Sequence, residues 1–332
     1  MSIIDGVRTM DIDLVYLWVD GNDPVWRAKR SEFLHDICGA VIPSEATDEA
    51  RFRNLDELKF SLRSVEMYAP WIRHIYIVTD SQVPSWLNLS NPRVSIVDHK
   101  EIMPPLALPT YSSPAIEWCV DNIPGLSEHF LLANDDTFIA EEVSPDFFFN
   151  EKGHPIVRLK KWPSRKMGRS QYLKTIGKAQ QLVRQHFGKY IKHIPHHNID
   201  AYRKGDLKDC KRYFAKEVDE TIHRHVRNND DVQRVVALYY AIANGLAEVK
   251  LMGRYNKKMG LFDKICDSLR GVYHYDTRCI NIEEGTDFQG VMARYNPTLF
   301  CVNDNEKASD ASRSRARDFL ERMFPDKSSF EK

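Results

Sequence analysis

No run of about eighteen consecutive apolar residues occurs anywhere in the 332-residue chain, so the sequence contains no candidate spanning helix. The start, Met1-Ser2-Ile3-Ile4-Asp5, lacks the basic residues and apolar stretch of an export signal. The six cysteines (38, 119, 210, 266, 279 and 301) form no C-x-x-C pair, which removes the usual zinc-knuckle and dithiol patterns. Reduced thiols are therefore expected, several of them simply core residues. A cytoplasmic protein follows as the expectation, with peripheral attachment to the inner membrane left open. Net charge is also missing: 47 basic residues balance 47 acidic ones, so nothing global steers the chain toward nucleic acid. Repeats and low-complexity linkers are absent as well.

One absence is local. Between Gly153 and Ile199 there is no Asp or Glu, while Arg158, Lys160, Lys161, Arg165, Lys166, Arg169, Lys174, Lys178, Arg184, Lys189 and Lys192 crowd the stretch. A run so free of acids favours an anionic ligand, although solvated lysines give the same pattern.

What is present reads as an α/β protein. The β-branched and aromatic runs Ile12–Val19, Ile75–Thr79, Val94–Val97 and His129–Ala133 have the composition of buried strands. Helical patterns separate some of them: one from Pro24 to about Ile37, one from an Asn54 N-cap to just before Pro70, one over Ser113–Val120. Further helices are expected near Asp209–Val226, Asp230–Ala243 and Asp310–Phe324, with a return strand at Pro297–Val302. The alternation predicts a Rossmann-like, mostly parallel sheet. The expected division is an α/β core over residues 1–150, a basic and helical insertion or lid over 151–290, and a return to the core over 291–332.

The ends of the strands carry the chemistry. They run into Asp20-Gly21, Asp80, Asp98-His99 and Asn134-Asp135-Asp136. Ligands of an open parallel sheet bind at its carboxyl edge, so four polar ends there predict a site; Asp and Asn also favour turns, which is the plainer explanation. Adjacent carboxylates at 135 and 136 suit Mg²⁺ or Mn²⁺ holding a diphosphate, or one of them suits a general base. Glu117 lies beyond the polar loop Leu108–Ser113, which suits a substrate pocket, but taken by itself it reads first as a surface carboxylate. His193-Ile194-Pro195-His196-His197, with Asp200, lacks the second ligand cluster a zinc site needs, which leaves one imidazole for proton transfer or ordinary loop histidines. Arg227, within His223–Arg227, suits a phosphoryl group or a helix dipole.

These residues bring a family into view. Ile12–Gly21 resembles the first conserved region of the Stealth proteins. The long stretch from Arg51-Phe52-Arg53-Asn54 through Ser61–Ser64, Ala69-Pro70-Trp71, Val83–Leu87, Leu108-Pro109-Thr110, Ala115-Ile116-Glu117 and Asn134-Asp135-Asp136 resembles the second. His193-x-Pro195-His196 with Arg227 is similar to the third region, and Cys301-Val302-Asn303-Asp304 to the fourth. Stealth proteins are hexose-1-phosphate transferases, including bacterial capsule polysaccharide phosphotransferases, and resemble the catalytic part of Golgi N-acetylglucosamine-1-phosphotransferase. The resemblance implies a GT-A-like fold and transfer of a sugar-1-phosphate from a UDP-sugar to a hydroxyl of an oligo- or polysaccharide acceptor, with release of UMP. It implies catalytic roles for Glu117, Asp136, His193 and Arg227, with Asp136 or His193 as base. Substrate contacts are expected from Asp20, Gly21, Arg63, Asp80, Ser113, Asn134, His196 and Asn303, and metal contacts from Asp135, Asp136 and Asp304. The setting implied is capsule or exopolysaccharide synthesis beside membrane-associated machinery. A metal-dependent glycosyltransferase releasing UDP, or a non-catalytic polysaccharide-assembly protein, are the alternatives.

Overall fold

Five strands lie side by side at the centre of the molecule, in the order Val94–Asp98, Ile75–Thr79, Ile12–Leu17, His129–Asn134 and Asp200–Arg203. The first four are parallel and the fifth runs antiparallel against His129–Leu132. The computed structural model describes residues 3–4, 7–8, 10–36, 51–161, 171–253 and 260–332. Cys38, Arg165, Lys166, Arg169 and the last residue of the helix expected to reach Ile37 lie outside them.

Alternation along the central strand explains its place. Ile12, Leu14 and Tyr16 pack into the apolar layer on one face of the sheet, and Val15 into the larger layer on the other. The larger layer is built around the helix Val235–Ala243, whose sequence VVALYYAIA is apolar on every side and is accordingly buried nearly throughout. It packs against Gln171–Phe187, while Glu57–Tyr68 covers the opposite face through Leu58, Leu62 and Val65. Among the described residues, no helix is long and apolar enough to cross a membrane.

A second sheet abuts the first. Thr277–Asn281 and Leu299–Asn303 run parallel, and Thr137–Ile139 pairs antiparallel with the latter. A third pairing joins Glu248–Met252 to Ile156–Lys160 in parallel.

The expected strands and first helices form close to where the residue patterns put them. Three differences have local causes. The second helix starts at Glu57 rather than being capped by Asn54, because Asn54 Oδ1 accepts from the Asp56 amide at 2.9 Å and Asp56 turns the chain at φ 67°. The pattern over Asp209–Val226 breaks into Lys204–Tyr213 and Ala215–Ile222, with buried Phe214 between them. Asn228 to Asp231 make a turn, held by Asp231 Oδ2 on the Asn228 amide at 2.7 Å, so the following helix begins only at Val235.

Candidate active site

The connections set the position of the site. From Ile12–Leu17 the chain winds outward through Ile75–Thr79 to Val94–Asp98, then returns to add His129–Asn134 on the other side of the first strand. This reversal opens a crevice at the carboxyl ends of the strands. A cavity of about 810 Å³ lies there, lined by Leu17, Trp18 and Val19 after the first strand, Asp80 after the second and Asn134-Asp135-Asp136 after the fourth.

Asp135 and Asp136 form the turn that carries the chain from the central sheet into the second one. Two bonds hold it there: Val302 N donates to the Asp136 carbonyl at 3.0 Å, and Thr137 Oγ1 donates to the Asn134 carbonyl at 2.6 Å. Asp135 and Asp136 thus form a turn, and that turn lines the cavity. Asp136 Oδ2 accepts from the Cys301 thiol at 3.1 Å; Asp136 Oδ1 is buried without a hydrogen-bond partner among the described residues.

A third carboxylate joins them. Glu57, nine-tenths buried at the start of its helix, lines the same cavity and accepts from the Leu55 amide at 2.6 Å. Burial, then the charge of Asp135, pushes its pKa well above the ordinary value. Burial and then Asp136 push Asp135 up to about 7. Clustered carboxylates and an orphaned oxygen fit a hard divalent cation, held by Asp135 and Asp136. Asp304 fits that role poorly: Arg313 Nε lies 2.9 and 3.1 Å from its two oxygens, and Arg53 Nη1 adds a contact at 3.4 Å.

His196 and His197 line the same cavity. His196 Nδ1 is 2.6 Å from Thr277 Oγ1, and burial, with Lys160 and Arg278 nearby, holds it at about 3. His197 Nε2 is 3.2 Å from Asn134 Nδ2, and its pKa is lowered, chiefly by burial. Both imidazoles are therefore neutral near pH 7. Cations line it as well: Arg53, Lys160, Arg227 and Arg278. Arg227 donates to Ser113 Oγ. An aromatic corner of Trp26, Phe52 and Tyr111 closes one end, with ring centroids 5.3 and 5.6 Å from that of Trp26.

Of the residues singled out in the sequence, Asp80, Ser113, Asn134, Asp135, Asp136, His196, Arg227, Asn303 and Asp304 line this cavity. Five do not. Glu117 is buried beside the cavity in an ion pair with Arg234 at 3.3 Å, and Arg234 reaches Asp200 at 3.9 Å. His193 turns its Nδ1 to the Lys160 carbonyl at 2.9 Å. Asp20 is tied to Gln82 through its backbone amide at 3.0 Å. Gly21 donates to the Phe52 carbonyl at 2.6 Å, and a Cβ there would come within 2.2 Å of that oxygen. Arg63 is spent on the C-terminus: it pairs with Glu331 at 2.7 and 2.8 Å and donates to the Phe324 carbonyl at 2.7 Å. Its guanidinium has no face left for a substrate.

The acid-free basic run is dispersed. Lys160 lines the cavity, Arg158 is buried on Asp276 at 2.7 Å, and Lys189 donates to the Ala243 carbonyl. Glu57, Cys279 and Arg278 do not stand out as site residues in the sequence. His197 appears there only within the His193–His197 run, and Cys301 only within the stretch resembling the fourth region. Glu57 looks like a first-turn helix carboxylate, and the others lie far along the chain with no spacing that ties them to Asp136.

Three family models match the chain: Stealth protein CR1, conserved region 1, over residues 10–38; CR2, conserved region 2, over 51–157; and CR4, conserved region 4, over 290–332. The chain is 32% identical over 333 aligned residues to the capsular polysaccharide phosphotransferase SacB of Neisseria meningitidis serogroup A, covering 98% of this chain and 58% of that protein. It is 39% identical over 239 residues to an exopolysaccharide phosphotransferase of Streptomyces coelicolor, covering 70% of this chain and 40% of the relative. The chain thus spans about half the length of these curated relatives. Among solved structures it is similar to the galactosyltransferase LgtC in complex with donor and acceptor sugar analogues, at 8% identity and a TM-score of 0.45 with 96% of each chain covered.

Proposed function

Because this chain belongs to the Stealth family, as its three matched conserved regions establish, we propose that it transfers a sugar-1-phosphate from a UDP-sugar to a hydroxyl of a saccharide acceptor, with release of UMP. The observation that carries the proposal is one cavity lined both by carboxylates, Glu57, Asp135 and Asp136, and by cations, Arg53, Lys160, Arg227 and Arg278. A nucleotide sugar needs both: cations for the diphosphate, and an ionised base beside the acceptor hydroxyl. The volume, about 810 Å³, is within the range of small-molecule sites.

In this reading the acceptor oxygen attacks the β-phosphorus and forms the new P–O bond. Asp136 takes the hydroxyl proton, the P–O bond to the α-phosphate breaks, and UMP leaves with its electron pair. His197, beside Asn134, keeps the base side neutral. Arg227, fixed by Ser113, meets charge on the transferring phosphoryl oxygens. The aromatic corner of Trp26, Phe52 and Tyr111 suits the uracil face. Asp135 and Asp136 would hold Mg²⁺ or Mn²⁺, which supplies charge neutralisation to the diphosphate. Glu117 acts from behind the cavity wall, positioning rather than touching substrate. The setting is capsule or exopolysaccharide synthesis on the cytoplasmic side of the membrane.

The test is product analysis with a panel of UDP-sugars and capsule-like oligosaccharides. Mass spectrometry should find phosphodiester-linked addition and UMP; UDP with glycosidic linkage would replace this mechanism with glycosyl transfer. Asp136→Asn should lower turnover by about 10²–10⁴, the usual worth of a general base, and an unaffected rate would remove Asp136 from the chemistry.

A further inference from the structure

One carboxylate of the Asn134–Asp136 turn has an imidazole and a thiol beside it. The ligand atoms of Asp136, His197 and Cys301 all lie within 4.8 Å of one another. Cys301 is fully buried, yet its sulfur does not rest among carbon atoms as a core cysteine's would. Its thiol donates to Asp136 Oδ2 at 3.1 Å, so a proton lies between two atoms that both become anionic ligands once it leaves. His197 Nε2 lies 3.2 Å from the Asn134 side-chain nitrogen, a hydrogen bond that an ion bound at this nitrogen would replace. A second sulfur is adjacent. Cys279 is the register partner of Cys301 on the neighbouring parallel strand, so both side chains project to the same face, and Cys279 lines the cavity.

We infer that Asp136, His197 and Cys301 form a site for a thiophilic divalent ion of the Zn²⁺ or Cd²⁺ class. One sulfur, one imidazole and one carboxylate, with solvent in the fourth position, make up a tetrahedral donor set that such ions accept. Mg²⁺ does not, since it requires an octahedron of oxygens. Each thiol that coordinates releases its proton to solvent, and the ion replaces the proton now shared by Cys301 and Asp136. The ion also occupies Asp136 Oδ2, the oxygen that faces Cys301, and so removes that oxygen from any role as base. That last consequence rests on the transfer reaction proposed above, whereas the ion site itself does not. Soft ions would then act as competitive blockers of a site whose working cation is hard.

Cadmium titration of the reduced, full chain tests this without any substrate. The ultraviolet thiolate-to-cadmium charge-transfer band should grow to one equivalent and persist in excess Mg²⁺. Cys301→Ser should abolish the band, and His197→Gln, which leaves every sulfur in place, should weaken Cd²⁺ binding by at least about 10–100-fold. A band that survives Cys301→Ser, arises only from Cys38 or Cys266, or yields to Mg²⁺ overturns the proposal. Cd²⁺ bound as expected in a protein that transfers no sugar phosphate would sink the function above and leave the site standing. Transfer unaffected by bound Cd²⁺ would do the reverse to the claimed blockade.

Discussion

Arg234 is the residue on which the back wall of the site depends. It is buried between Glu117 at 3.3 Å and Asp200 at 3.9 Å. Burial raises the pKa of both carboxyls, Asp200 to about 7, and Arg234 is the charge that opposes the rise. Removing one partner of a buried ion pair leaves the other charge uncompensated, which costs about 3–5 kcal/mol. Arg234→Met should therefore lower stability by roughly that amount at pH 8. The sign of the pH dependence follows from the direction of the shifts. A carboxyl whose folded pKa lies above its unfolded one binds a proton more tightly in the folded state, so stability falls as pH rises through that interval. Without Arg234 both folded values climb further, and the deficit should shrink on acidification to pH 5, where the two carboxyls go neutral. Urea melts at the two pH values check this; equal losses would mean that Arg234 contributes packing rather than charge.

Gly21 shows how an element reaches the site through a neighbour. Its strand ends at Leu17, and the turn that follows brings Gly21 against the Phe52 carbonyl, closer than any Cβ allows. That contact sets the segment Arg51-Phe52-Arg53, which supplies both an aromatic face and a cation to the cavity. Gly21→Ala should destabilise by about 1–3 kcal/mol through overpacking and raise the donor KM more than it changes kcat. Thermal melts and a saturation series would show it. The strand and helix periods in the sequence identified the parallel core and the carboxyl edge, because Ile12–Leu17, Ile75–Thr79 and His129–Asn134 each satisfy one local pattern. Asp200–Arg203 and Thr277–Asn281 were not legible in the same way. With Asp200 and Arg203 in one and Arg278 and Asn281 in the other, neither has the apolar run of a buried strand, and each takes its pairing from the edge it meets: His129–Leu132 for the first, Leu299–Asn303 for the second. Cys279 and Arg278 stayed hidden for that reason. Arg63 was misread as a substrate contact because only the fold shows that the C-terminal residues Phe324 and Glu331 return to it.

Across the whole molecule, 47 positive and 47 negative side chains cancel, yet the cavity is strongly polarised. The cancellation is global and does not relieve the cavity: buried, clustered carboxylates favour protons or a cation. In the metal-free protein they favour protons: Asp135 rises to about 7, first from burial and then from Asp136, and Glu57 rises well above its ordinary value, first from burial and then from Asp135. Both shifts make the folded state the better proton binder, so their contribution to stability declines as pH climbs from about 4 toward the folded values. A divalent cation must displace those protons to bind. Mg²⁺ should consequently raise the melting temperature little at pH 5.5 and clearly at pH 8, with about 2.7 kcal/mol gained at a concentration one hundred times its dissociation constant. Asp135→Asn should flatten the metal-free decline and reduce the Mg²⁺ increment together, since one carboxyl causes both. Asp304→Asn makes the sharper comparison. Its oxygens are engaged by Arg313 and Arg53, so the variant should melt lower at every pH while keeping the full Mg²⁺ increment. An increment lost in Asp304→Asn and retained in Asp135→Asn would move the cation from the turn after the fourth strand to the end of Leu299–Asn303.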